Sequence, residues 1–266
     1  NIRLVEKDQS HELAIAAERD GKAAFYLADK RCCENGLVRI PDSVPLNGDV
    51  VYPILAHAAD FFWHLRRTSS KAGLASRVTI EAWQLAEHDL PDNFIDDPVL
   101  APIGENLNVA GVIEIPVEDG VDAPQYGFKI TSVHPKPLYV WLFAFNMSQL
   151  SVDTVYKPTI AGDHDKPADP PLPAAPSPDH PSELHIGYGS GGAEPQEFEL
   201  PPGAGVDVTY LKLFITTRYV DLSYLEQRSP FPATRWAKSA PPRGSRELWD
   251  TLLVPMVQRR KKKPTT

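Results

Sequence analysis

The chain is expected to be an α+β protein, mainly β: an antiparallel β-sandwich C-terminal domain behind a small N-terminal α/β unit containing one long helix. Three observations carry this expectation. From Tyr126 to Tyr156, Phe128, Ile130 and Ser132 alternate with Lys129, Thr131 and Val133; Pro135-Lys136-Pro137 then breaks the run, and an apolar stretch resumes from Leu138 to Phe145. With Leu150 to Tyr156 this reads as a three-stranded meander, because each proline lacks a donor and fits a turn better than a central ladder. From Gly205 to Leu222 a second apolar face recurs, at Val206, Val208, Tyr210, Leu213 and Ile215, and a second sheet stacked on the first would let the meander bury both faces. Between Asn47 and Arg67 the period changes from two to 3.6.

Taken in order, Ile2–Val5, Leu13–Ala17 and Ala23–Leu27 read as short strands, the last two joined by a hairpin at Asp20-Gly21. A helix over about 48–67 follows, capped by Asn47 or Asp49, with Val51, Ile54, Leu55, Ala58, Phe61, Phe62 and Leu65 at helical spacing. Pro53 sits in its first turn, and His64, Arg66 and Arg67 lie at the negative end of its dipole. Val78, Ile80 and Ala82 alternate in a half-buried strand over 77–85; 88–102 reads as an acidic loop, and 109–117 as another strand. The change to an all-β second half places a domain boundary at 117/118, giving units 1–117 and 118–266. Residues 159–182 are dense in Pro, Asp and Ala and read as a mobile inserted loop. Leu248–Val257 reads as an edge strand.

The totals exclude several classes. A net charge of -8 opposes a general nucleic-acid binder, which needs a basic face to release phosphate counterions. No apolar run reaches the roughly 20 residues of a membrane span, and Asn1 to Val5 does not resemble a signal peptide. The absence of an initial Met implies a piece of a longer protein, and Arg259 to Lys263 reads as a solvated basic tail. The only two cysteines are adjacent, Cys32 and Cys33, a spacing that strains a disulfide and favours a reducing, cytoplasmic setting.

Candidate sites are few. Gly187-Tyr188-Gly189-Ser190-Gly191-Gly192 matches a dinucleotide fingerprint by letter, but Pro195 and then a strand follow where a helix is required, so a glycine hairpin loop is expected. His57 and His64 stand seven apart, not the four of a zincin, and no metal or other cofactor is expected. Trp63, Trp83 and Trp141 read as packing residues, whereas Trp236 lies in a polar stretch as an exposed anchor. The binding candidates are therefore Tyr188, Gly189, Ser190 and Trp236, with no catalytic residue.

Leu138-Tyr139-Val140, Phe145-Asn146-Met147-Ser148, Leu184-His185-Ile186-Gly187-Tyr188-Gly189, Asp207-Val208-Thr209-Tyr210, Ser229-Pro230-Phe231 and Val254-Pro255-Met256-Val257 form a series of blocks. In order and spacing the series resembles the accessory region that follows the caspase-like, metacaspase-type peptidase domain in proteins of mushroom-forming fungi. The second half is also similar to a β-rich domain found behind bacterial caspase-family peptidases. The resemblance implies an intracellular setting linked to programmed cell death, and it carries over no catalytic residue, because the peptidase His and Cys belong to a domain ahead of Asn1. The expected function is a non-catalytic accessory module that regulates or targets a caspase-like protease, or another protein, through protein contacts. The alternative is a glycan or small-ligand module using Tyr188 and the glycine run.

Overall fold

The computed structural model describes residues 2, 3, 5, 6, 9–69, 73–88, 99–117, 123–159, 170–189, 193–231 and 248–261. Three sheets are stacked in layers, and the middle layer is the one with both faces covered. The first comprises β1 (Leu13–Ala17), β2 (Lys22–Leu27) and β3 (Arg39–Pro45), all antiparallel. Gly21, at φ 78°, makes the expected turn between β1 and β2. Between β2 and β3 lies α1 (Lys30–Glu34), capped by Asp29, which accepts from the Cys32 amide; its shortness left no sequence period to detect. The long helix α2 (Gly48–Arg66) is capped by Asn47 through the Asp49 amide and buries Ile54, Ala58, Phe61, Phe62 and Leu65.

The remaining strands are β4 (Val78–His88), β5 (Val99–Ile103), β6 (Asn108–Val109), β7 (Val112–Val117), β8 (Gln125–Ser132), β9 (Tyr139–Asn146), β10 (Ser151–Tyr156), β11 (Ser182–Ile186), β12 (Gln196–Glu197), β13 (Val206–Thr216) and β14 (Trp249–Arg260). Six of them form a sheet in the order β10-β9-β13-β14-β7-β6, and five form another, β11-β8-β4-β5 with β12 beside β8. The six-stranded sheet is the middle layer. One face, with Phe143, Phe145, Val208 and Tyr210, packs on Phe25, Ile54, Phe61 and Leu65. Its other face, with Leu142, Leu211, Leu213 and Met256, packs on Ile80, Phe128, Ile130 and Ile186 of the five-stranded sheet. The mainly β, α+β architecture with a sandwich is as the pattern predicts.

Several details differ. The division at 117/118 cuts both sheets: β4 pairs with β8 and β7 with β14, so the change from helical unit to sandwich falls between α2 and β4. The expected meander is split, because β8 belongs to the outer sheet and β9 to the middle one; Pro135-Lys136-Pro137 carries the chain between layers. The element over 205–222 does not lie across from the meander but beside it, as β13 pairs with β9 along eight residues. The strand over 109–117 is broken by Ala110-Gly111, both at positive φ (52° and 81°), the two-residue turn that suits a tight hairpin. The end of the acidic loop expected over 88–102 is paired, within β5 (Val99–Ile103), while 89–98 lies outside the described residues. Ile2, Arg3 and Val5 are in no strand.

The expected edge strand over 248–257 is instead internal: β14 is antiparallel to β13 and parallel to β7. Pro255 is tolerated there because pairing with β7 begins only at Met256. In the Pro-rich insertion, 160–169 lies outside the described residues, but Leu172 is fully buried and exchanges backbone hydrogen bonds with Leu138 (2.8 and 3.3 Å). Ala175, also buried, adds a bond from its amide to His134 O at 3.0 Å, so two residues anchor a stretch whose composition predicts a mobile loop.

Candidate functional site

Pleating decides which side chains of the five-stranded sheet face away from the core. On β4, Val78, Ile80 and Ala82 point inward, which turns Glu81 and Trp83 outward; on β8, Phe128 and Ile130 turn Lys129 outward; on β11, Leu184 and Ile186 do the same for Glu183 and His185. Register aligns Glu81, Lys129 and His185 in one row across three strands, with Trp83 opposite Gly127 in the next.

The row is knitted by charge. Lys129 Nζ lies 2.9 Å from Glu81 Oε2 and 3.8 Å from Glu183 Oε1; His185 Nε2 lies 3.5 Å from Glu183 Oε2, and the Trp83 indole N–H donates to Glu81 Oε2 at 3.3 Å. The hydrogen bond to Glu81 holds the Lys129 ammonium above its ordinary range.

The glycine run acquires its purpose here. Gly187 and Gly189 adopt φ of 85° and 65°, and between them the chain turns Tyr188 back over the outer face of its own sheet. The phenol ring occupies the place that a side chain at Gly127 would take: a Cβ there would stand 2.6 Å from Tyr188 Cδ1 and 3.1 Å from Leu85 Cδ1. The ring also leans on His185, centroids 4.9 Å apart. Burial, with the Glu81 and Glu183 carboxylates adding, pushes the phenol up to about 12, so it remains a neutral hydrogen-bond donor. Trp83, Tyr188 and His185 thus place three half-buried rings on the outer face, beside two carboxylates and an ammonium.

No family model matches the chain, and neither a curated protein nor a solved structure does.

Of the candidates from sequence, Tyr188 and Gly189 lie on this face, while Ser190 and Trp236 lie outside the described residues. The expected hairpin loop is not one: β11 and β12 both pair with β8, at Phe128–Ser132 and at Gln125–Tyr126, and not with each other. Sequence reasoning missed Glu81, Trp83, Lys129, Glu183 and His185. Trp83 was assigned to packing although it shares the parity of Glu81 and opposes that of Val78, Ile80 and Ala82, a signal already present in the alternation. Trp141 is buried as expected and donates to Val220 O at 3.0 Å, but Trp63 is exposed.

The other reactive side chains are structurally engaged. Cys32 is buried, and burial together with Asp29 drives its thiol far up, away from the thiolate; Cys33 is exposed and bonds Leu27 O. His57 contacts Leu150 O at 3.1 Å, and His64 is drawn down to about 4 by burial, Arg67 and Lys212, so it is neutral. Among the described residues no three His, Cys, Asp or Glu side chains gather to hold a metal ion, and no helix is long and apolar enough to cross a membrane.

Proposed function

We propose that the chain is a non-catalytic recognition module that works through protein contacts, with the outer face of the five-stranded sheet as the contact surface. The observation that supports this most is the seating of Tyr188 over Gly127 beside Trp83 and His185. Tyr and Trp held rigid on a scaffold lose little entropy on binding and are the residues that dominate interface energetics. The alternating Glu81, Lys129 and Glu183 charges give such a face orientation and partner choice. The resemblance of the sequence blocks to the region behind caspase-like peptidase domains makes such a domain the first partner to test. The module would act on it as a regulator or targeting element in the cytoplasm, a setting in keeping with two unpaired cysteines. The test is titration calorimetry of the chain against a fungal caspase-like peptidase domain, with peptidase activity followed in parallel. Association that weakens at least about tenfold in Trp83→Ala and Tyr188→Ala supports the reading; no heat and unchanged activity reject it.

A second reading, a glycan module, is favoured by one feature: half-buried rings flanked by the Glu81 and Glu183 carboxylates, which suit the C–H face and the hydroxyls of a sugar. A glycan array decides it, with quenching of Trp83 fluorescence as the confirming signal; silence across the array discards it.

A further inference from the structure

Helix α2 is apolar on two sides. One side enters the core through Ile54, Ala58, Phe61, Phe62 and Leu65. The other carries Tyr52, Ala56, Ala59 and Trp63, whose spacing of four, three and four residues sets them in one stripe. Tyr52 is 67% exposed and Trp63 57%, and the two alanines between them are partly buried. A helix buried on one side normally turns a polar face to water; here two large aromatics stand outward about 16 Å apart along the axis. Trp63 is also held in place, since the Arg67 guanidinium stacks between Trp63 and Trp249, 5.0 Å from each ring centroid. An exposed Trp fixed by stacking has little rotamer freedom left to lose on docking.

The stripe is palindromic. A two-fold axis perpendicular to the helix, outside its outward face at the level of the His57–Ala58 step, sets Tyr52 against Trp63 of a second copy, and Ala56 against Ala59 of that copy. The alanines at the centre let the two backbones approach to the short end of the usual 8–10 Å interaxial range. The large rings at the ends then close over the small residues. Charge repeats the symmetry: Asp49 occupies the first turn and Arg67 caps the other end, beside Arg66, which is held by Glu12 and Asp29 of its own chain at 3.0 Å each. An antiparallel pair thus lays the acidic end of each helix on the basic end of the other, with opposed macrodipoles. A self-complementary patch of this kind is what an isologous interface requires.

We infer that the outward face of α2 is a homodimer interface, on which α2 of a second copy packs antiparallel about a two-fold axis at the level of the His57–Ala58 step. The partner is another copy of this chain, because the Tyr-Ala-Ala-Trp order and the acidic-to-basic polarity match their own reversal. This interface is separate from the Trp83–Tyr188 face and does not depend on the function proposed for it.

Sedimentation equilibrium over about 1 to 100 μM, a span that brackets micromolar association, is the test. The expected mass is twice 29.4 kDa. Trp63→Glu, on an exposed position, and Ala59→Glu should each return the mass to the monomer, with circular dichroism unchanged at least in Trp63→Glu. Val109→Glu, an exposed apolar residue on the β6–β7 hairpin, should leave the dimer intact. In a Cys33→Ser background, mixing Ala56→Cys with Ala59→Cys should yield an oxidised 56–59 cross-link between chains. A monomeric mass throughout, a dimer indifferent to Trp63→Glu, or cross-linking of Ala56→Cys only to itself would overturn the inference.

Discussion

Lys212, on the central strand β13, donates to the backbone carbonyl of Leu65 in the last turn of α2 at 2.9 Å. The same ammonium donates to His64 O at 2.7 Å and to Arg67 O, and it is 1% exposed. Carbonyls at a helix C-terminus have no partner within the helix, so here the sandwich supplies one cation for three of them, at the negative end of the dipole. Replacing Lys212 by Met removes the donor and leaves those acceptors buried. The expected loss is about 3 kcal/mol, measured as a lower urea midpoint; a midpoint within error of the parent would show that water satisfies the carbonyls equally well.

Acid sensitivity follows from His64, next to this cap. Its imidazole is drawn down to about 4 by burial, with Arg67 and Lys212 adding. The unfolded chain binds a proton near its ordinary value of 6.5, whereas the folded chain does so only near 4. The contribution to stability is therefore complete above pH 6.5 and lost as pH falls toward 4. In His64→Leu that component of the slope is expected to vanish, which thermal unfolding at pH 7, 5.5 and 4.5 will reveal; an unaltered slope assigns the acid sensitivity elsewhere.

Gly127→Ala tests the seat of Tyr188. The added Cβ meets Tyr188 Cδ1 at 2.6 Å and the Ile186 carbonyl at 2.8 Å, so either the ring leaves the face or β11 shifts. Overpacking of this kind costs about 1–3 kcal/mol. A lower unfolding temperature together with altered Trp83 fluorescence is expected; retention of both would mean that the ring is not held where it stands.

Asp207 is buried at the start of β13 and accepts from Asn146 Nδ2 (2.9 Å), Ser148 Oγ (3.0 Å) and its neighbour's amide, Val208 N (2.8 Å). Burial raises its carboxyl above the usual range despite these donors, so the charged form is held at a cost. Asp207→Ala strands the Asn146 amide donor and leaves Ser148 only Asn146 Oδ1 at 3.0 Å, and should cost about 3 kcal/mol. Asp207→Asn keeps an acceptor without a charge and should lose less. Equal losses in denaturant titrations would contradict the network.

The β1–β2 hairpin and α2 could be read from the chain because local signals suffice: Asp20-Gly21 forces one turn, and Asn47 begins a 3.6-residue period. Which strands share a sheet was not legible. Phe128 and Leu142 are equally apolar, and only pairing with β4 or with β13 separates them. Leu248–Val257 reads as an edge strand in the sequence, whereas the compatibility of Pro255 with an interior strand depends on where the β7 ladder starts, a long-range fact. For the candidate site, Tyr188 and Gly189 stood out because glycines around a tyrosine are locally unusual. Lys129 and Glu183 did not, since an outward charged residue on a strand looks the same whether it meets solvent or an array of rings.

The position of β14 between β13 and β7 sets a timetable for biosynthesis. β7 ends at Val117, yet its parallel neighbour begins at Trp249, so more than a hundred residues must leave the ribosome before the middle layer can close. Until then β13, almost wholly buried in the finished fold, offers an open flank to any other nascent strand. A chain stopped short of residue 249 is for that reason expected to be a chaperone client or an aggregate, not a smaller folded domain.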